Sequence, residues 1–462
     1  MIEEQSVGCG VWGVGCGEVG RINKNNLLTP ISSNPESYLQ QSYLLTPAIL
    51  FPEVFYYQII IQMRIFISTG EVSGDLQAAM LIESLFKLAK TLEIELEIFA
   101  LGGDRMELAG AKMLGKTTRL AAMGLIESIP FIWPTLQLQK RAKEFFRDHP
   151  PDIIILIDYV GANVAIGQSA KKIIPDVPII YYIAPQVWIW SEENIPSAKL
   201  RATAEKLFNT EKLIAITDKL LAIFPAEARF FETKGLPVTW VGHPLVDRMA
   251  NAPNRQEMRQ KWAIKPEETV IALLPASRQQ EFKYLVPTVC AAAQKLQEKI
   301  PDIKFLIPVP LALYEPKMRE LVAEYGLNAV IMERDQTLEA IAAADLAVAK
   351  SGTVNLEIAL LNVPQVVVYR LSAVTAWIAR NIMKLSVPFV SPVNLVLMRE
   401  VVPELLQEEA NPERIMEECL DLLLNQQRRQ KMLDEYAETT AGLGTVGSCD
   451  RVAQEVFKIG LC

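Results

Sequence analysis

From Met63 onward, short unbroken apolar runs alternate with longer stretches in which apolar residues recur every three or four positions. That is the pattern of buried parallel strands separated by amphipathic helices. Ile65–Ser68, Glu97–Leu101, Ile153–Ile157 and Ile179–Ile183 predict strands in a first half, with a helical run to about Lys90 after the first of them. Val270–Leu274, Lys304–Ile307, Ala329–Met332, Leu346–Ala349 and Gln365–Tyr369 predict strands in a second half, after the break at Asn251–Pro253. Repeated βαβ units of this kind imply an α/β protein made of two Rossmann-like, doubly wound domains. The expected boundaries are 63–250 and 251–462, the second including the terminal helices, with the join near 245–255. In such sheets ligands collect outside the carboxyl ends of the strands, so chemistry is expected in the turns that follow them.

Residues 1–62 break the pattern, with few charges, glycines clustered near the start and no periodicity before about Ala48. They lack the basic stretch and apolar run of a signal peptide. The run Ala48–Ile61 is interrupted by Pro52 and Glu53 and falls short of the roughly 20 residues needed to span a bilayer. Met63-Arg64-Ile65-Phe66-Ile67-Ser68 reads as a first strand directly after an initiator methionine, so translation is expected to start at Met63. Residues 1–62 are then a disordered or misread extension, an expectation that peptides from before Met63 in the native protein would overturn.

Composition narrows the function. With 462 residues and 50% hydrophobic content the chain can build sizeable cores. A net charge of −8 argues against a nucleic-acid partner, which calls for a basic face. Six scattered cysteines without a CxxC pair, and only two histidines, point to a reducing compartment and no structural metal. No Asp-x-Asp pair is present to clamp a divalent ion on a diphosphate, so a reaction without metal or cofactor is expected.

The most informative segment is Lys350-Ser351-Gly352-Thr353-Val354-Asn355-Leu356-Glu357, a strand end, a small-residue turn and a helix start. Such a turn offers backbone N–H groups to a phosphate, and an acid one helical turn later can reach a sugar hydroxyl. Alone it equally suits an ordinary helix cap. In the same half, Pro275-Ala276-Ser277-Arg278-Gln279-Gln280-Glu281 places a hydroxyl and a guanidinium at another helix entrance, suited to a departing diphosphate. Asn394, Glu404 and Gln407 add groups able to read sugar hydroxyls.

From Met63 to the C-terminal helices the chain resembles the lipid-A-disaccharide synthase family. The matching segments are GEVSGD (Gly70–Asp75), MGLIES (Met123–Ser128), YIAPQVWIW (Tyr182–Trp190), FPAE (Phe224–Glu227), VGHPLVD (Val241–Asp247), LLPASRQQE (Leu273–Glu281), SGTVNLE (Ser351–Glu357) and REVVPELLQEE (Arg399–Glu409). The resemblance implies the two-domain, cleft-forming glycosyltransferase architecture called GT-B. It also implies inverting transfer of 2,3-diacylglucosamine from its UDP ester to the 6′-hydroxyl of 2,3-diacylglucosamine 1-phosphate, releasing UDP. By analogy Ser351, Gly352, Thr353, Glu357, Asn394, Glu404 and Gln407 surround the UDP donor, Ser277 lies with them, and Arg278 balances charge on the leaving diphosphate. Glu71, Ser73, Gly74, Asp75 and Asn163 face the cleft from the first half, although Asp75 equally suits a helix cap.

Two departures fall on the acceptor side. Where many members read Ile-Asp-x-Pro-Asp-Phe-Asn, this chain has Ile157-Asp158-Tyr159-Val160-Gly161-Ala162-Asn163, so a candidate catalytic carboxylate is glycine, and Asp158 or Asp75 can substitute as base only if the loop brings one close. After Trp190, where basic residues are common, stand Glu192 and Glu193, with Lys199 and Arg201 as the nearest compensation. Three readings stay open: the synthase itself, a related transferase with another lipid acceptor, and a UDP-sugar-binding paralogue without turnover. The family's lipid substrates imply a protein at the cytoplasmic face of the membrane, touching it through Met123–Trp133, backed by Lys140, Arg141 and Lys143. His243 is expected to pack beside the hinge.

Overall fold

A computed structural model describes residues 61–117, 132–191, 194–276, 279–309, 312–371 and 388–461. The expected extension up to residue 60, most of the Met123–Trp133 segment, Glu192, Glu193, Ser277 and Arg278 lie outside the described residues.

Two parallel sheets organise the chain. The first holds β1 (Ile61–Ser68), β2 (Ile94–Gly102), β3 (Lys112–Lys116), β4 (Ile153–Ile157), β5 (Ile179–Tyr182), β6 (Lys219–Ala222) and β7 (Val238–Trp240), in the order β3-β2-β1-β4-β5-β6-β7. The second holds β8 (Thr269–Leu274), β9 (Ile303–Pro308), β10 (Ala329–Met332), β11 (Leu346–Lys350), β12 (Gln365–Tyr369) and β13 (Glu404–Leu406), in the order β10-β9-β8-β11-β12-β13. Each order runs outward one way from its first strand and then the other, which puts a switch point between β1 and β4 and another between β8 and β11. Register makes the turns neighbours: Ser68 pairs with Leu156, and Leu274 with Ala349. The two turns beyond each pair therefore emerge side by side.

Helices cover both sheets because their apolar stripes match the sheet faces. In Val72–Thr91 the residues Ala78, Leu81, Ile82, Leu85 and Ala89 are buried, at the spacing of one helical face. In Ile132–Asp148, Phe146 meets Phe66 of β1 edge-on, with ring centroids 4.9 Å apart. Every residue of β4 is inaccessible to solvent, as an all-apolar central strand requires.

The chain passes between the sheets twice. Helix Leu245–Met249 leads from the first toward the second, and helix Ser448–Gly460 returns to the first, burying Val452, Ala453, Val456 and Phe457. Gly460 fits against Met63 and Ile153, where a Cβ would lie 2.2 Å from the Met63 methyl carbon. The carboxylate of Asp247 accepts hydrogen bonds from the backbone N–H groups of Gly447, Ser448 and Cys449 at 2.6, 3.1 and 2.8 Å, fixing the start of this helix. Residues 448–460 thus pack with the first sheet.

Candidate active site

At the first switch point the turn after β4 is strained. Asp158 and Tyr159 both adopt left-handed backbone, with φ of 48° and 45°, which costs free energy in residues with a Cβ. Asn163 holds them there: its Nδ2 donates to the carbonyls of Ile157 at 3.0 Å and Asp158 at 2.8 Å, and its Oδ1 accepts from Ser68 Oγ at 2.8 Å. The phenol of Tyr181 donates to the same Asp158 carbonyl at 2.7 Å. Asn163 is fully buried and fixes the turn. Asp158 itself is half-buried at the strand end. Gly161 opens on free space, since a Cβ there would meet nothing within 4 Å.

The GEVSGD turn is likewise held by buried contacts. The carboxylate of Asp75 is buried and accepts the backbone N–H groups of Gly103 at 2.9 Å, Met106 at 3.2 Å and Arg105 at 3.3 Å. It caps the short helix Asp104–Leu108, the second in the chain and not the first. Gly74 packs on Thr69, whose Oγ1 a Cβ would approach to 2.0 Å, so its smallness serves packing. Glu71 and Ser73 remain half-buried at the start of helix Val72–Thr91.

At the second switch point, Ser351 Oγ donates to the Val390 carbonyl at 2.6 Å, and the Gly352 N–H donates to Asn355 Oδ1 at 2.8 Å. Thr353 precedes helix Val354–Leu360. Glu357, in the first turn of that helix, is paired with Arg248 of helix Leu245–Met249, so a carboxylate beside this turn is reached from the segment joining the sheets. Asn394 is fully buried: its Oδ1 accepts the N–H groups of Val401 and Val402, and its Nδ2 donates to the Val402 carbonyl and to Glu404 Oε1. The Glu404 carboxylate also accepts the N–H groups of Val390 and Ser391, both at 2.8 Å, and burial raises its pKa. These two residues shape the wall behind Ser351. Gln407, directly after β13, is in left-handed backbone, its carbonyl held by Arg370.

Sequence reasoning missed two participants on the first sheet's side and one charged pair on the second's. Arg248, directly after VGHPLVD, is one. Glu227, the acid of FPAE, is the other: its carboxylate is buried and accepts the N–H groups of Ala184, Ile223 and Phe224, which ties the ends of β5 and β6 together. Burial raises its pKa to about 7 against those three donors, with the charge of nearby Asp158 adding to the rise. The pair is Lys350 and Glu281, whose charged atoms lie 3.4 Å apart. For Glu227 and Lys350 the available signal was a charged residue within an otherwise small or apolar strand-end motif. His243 is buried, and its Nδ1 accepts the Leu245 N–H at 3.1 Å.

Two Rossmann-type sheets, each with its polar turns at the switch point, make this a protein of the GT-B fold class. Solved structures share the fold: the MnaA–UDP co-structure from S. aureus (TM-score 0.56, 14% identity, 87% of this chain and 98% of that one) and a UDP-GlcNAc 2-epimerase from Neisseria meningitidis bound to UDP-GlcNAc (TM-score 0.53, 13% identity, 86% and 100%). A family model described as lipid-A-disaccharide synthetase matches residues 65–456. Lipid-A-disaccharide synthases from Gloeothece citriformis and Synechocystis are 60% and 50% identical to this chain, each over 86% of it and over 99% and 98% of their own lengths. The chain belongs to the lipid-A-disaccharide synthase family. Its reaction is that family's: 2,3-diacylglucosamine passes from UDP to 2,3-diacylglucosamine 1-phosphate.

Proposed function

We propose that the two switch points divide this reaction between them, the second holding the UDP-sugar donor and the first the acceptor hydroxyl. The observation that carries this division is that matched motifs follow β1, β8 and β11 and the departing Asp158–Asn163 turn follows β4, so that they fall in adjacent pairs at the carboxyl ends of β1 and β4 and of β8 and β11. Glu357 and the Ser351–Thr353 turn receive the nucleotide, with Gln407 beside them and Ser277 and Arg278 at the diphosphate. The acceptor 6′-hydroxyl attacks the anomeric carbon, the bond from that carbon to the diphosphate oxygen breaks with its electron pair going to UDP, and the hydroxyl proton goes to a carboxylate. Asp158 is the proposed base. A strained turn locked by Asn163 and Tyr181 is the kind of preorganisation that a catalytic group uses.

The test is UDP release by purified protein given UDP-2,3-diacylglucosamine, with and without the monosaccharide 1-phosphate. Asp158→Asn should lower kcat by about 10²–10⁴-fold while UDP still binds. Gly161→Asp, entering open space, should fold normally and lower kcat far less. A fully active Asp158→Asn protein would remove Asp158 from the mechanism.

Membrane contact belongs to the same proposal. Among the described residues no helix is long and apolar enough to cross a membrane. Helix Ile132–Asp148 nevertheless exposes Trp133 at 69% and Leu136 at 50%, a turn before the exposed Lys140. This is the end of the expected interfacial segment, and it suits shallow insertion beside anionic headgroups. Trp133→Ser with Leu136→Ser should reduce co-flotation with anionic vesicles and leave UDP binding unchanged. Equal flotation of variant and parent would place the contact elsewhere.

A further inference from the structure

Lys350 closes β11, immediately before the Ser351–Thr353 turn, and its side chain is only 14% exposed. Its Nζ lies 3.4 Å from Oε1 of Glu281, itself 9% exposed, in helix Gln279–Tyr284 that follows β8. The pair therefore spans the second switch point and joins the two segments that bear on the donor. The ammonium also lies close over the turn: a Cβ on Gly352 would come within 2.9 Å of Nζ, so the glycine makes room for the charge.

A buried ion pair is a poor device for stability, because two apolar residues of similar volume generally serve as well or better. A lysine kept at the carboxyl edge of the sheet, where ligands of doubly wound folds collect, calls for another explanation. We propose that Lys350 is a phosphate-binding residue of the donor site, positioned by Glu281 and turning its ammonium to the nucleotide's diphosphate when the donor enters. Lysine suits this task as a compact charge with three donors on a flexible stem. Glu281 acts through Lys350: it holds the ammonium near the turn and stays behind as the diphosphate takes over the contact. The inference rests on the donor-site reading above and extends it to a residue outside the expected set.

The experiment is calorimetric titration of the full chain with uridine, UMP and UDP at fixed salt. The proteins compared are the parent, Lys350→Met, Lys350→Arg, and Lys350→Met combined with Glu281→Gln, which removes both charges in case Glu281 left alone disturbs folding. The expected result is UDP binding about 10–100-fold weaker in both Met-containing proteins, a smaller loss for UMP, none for uridine, and partial retention with arginine. Loss of uridine and UDP binding in equal measure would overturn the inference by marking a merely structural pair. UDP bound equally by all four, with weakened binding in Glu357→Gln, would overturn it alone. No UDP binding by the parent would overturn the donor-site reading with it.

Discussion

His243 is a titratable side chain held away from water, and burial drives its pKa from 6.5 down to about 3. Below about pH 6.5 the unfolded chain takes up a proton that the folded chain refuses. The contribution of this residue to stability is therefore complete above about pH 6.5 and is lost as pH falls toward 3, a loss of about 2 kcal/mol at pH 5. His243→Asn keeps an acceptor for the Leu245 amide and removes the titration. Its thermal midpoint should fall less than the parent's between pH 7 and pH 5, and equal falls would acquit His243. Glu227, with its pKa raised, works in the opposite sense in both proteins, so the comparison cancels it. Single residues were the least legible in the sequence. Asn163, Asn394 and Asp75 are polar residues in strand-end motifs, and nothing in a sequence shows which backbone groups such a residue holds. Their burial and their hydrogen-bond partners are properties of the fold.

At the scale of elements, helix Leu245–Met249 has the largest effect for its length. Asp247 fixes the start of the last helix, and Arg248, one residue on, reaches Glu357 beside the donor turn. With Glu357 only 7% exposed at its side chain, taking away the guanidinium strands a buried carboxylate. Arg248→Met should cost about 3 kcal/mol in urea unfolding, and adding Glu357→Gln should restore most of it. A single variant as stable as the parent would show the pair to be idle. The central strands were legible because a strand buried on both faces must be apolar throughout, as in Ile153–Ile157 and Leu346–Ala349. The strands β3, β6, β7 and β13 were not, because three to five residues, some of them partly exposed, leave no such run. Donor turns could be read from the order of small and acidic residues. The contact between Arg248 and Glu357 could not, because it joins elements 109 residues apart.

For the whole molecule, two doubly wound halves were implied by the alternation of runs, whereas the return of the final helix left no trace in that pattern. An amphipathic helix shows that it has an apolar face and not which sheet covers it. A chain ending at Val446 should lose amide-exchange protection in helix Val72–Thr91 and in β1 and β4, while the second sheet keeps its own. Protection lost evenly across both sheets would mean that the two halves melt together. The same helix bears on how the protein is made. Ribosomes deliver the first sheet long before residues 448–460, and at about 5–20 residues per second the intervening stretch takes roughly 10–40 s to emerge. Throughout that interval Met63 and Ile153 await their cover, which makes the nascent first half a client for chaperones and makes a premature stop near the 3′ end of the message as damaging to its beginning as to its end.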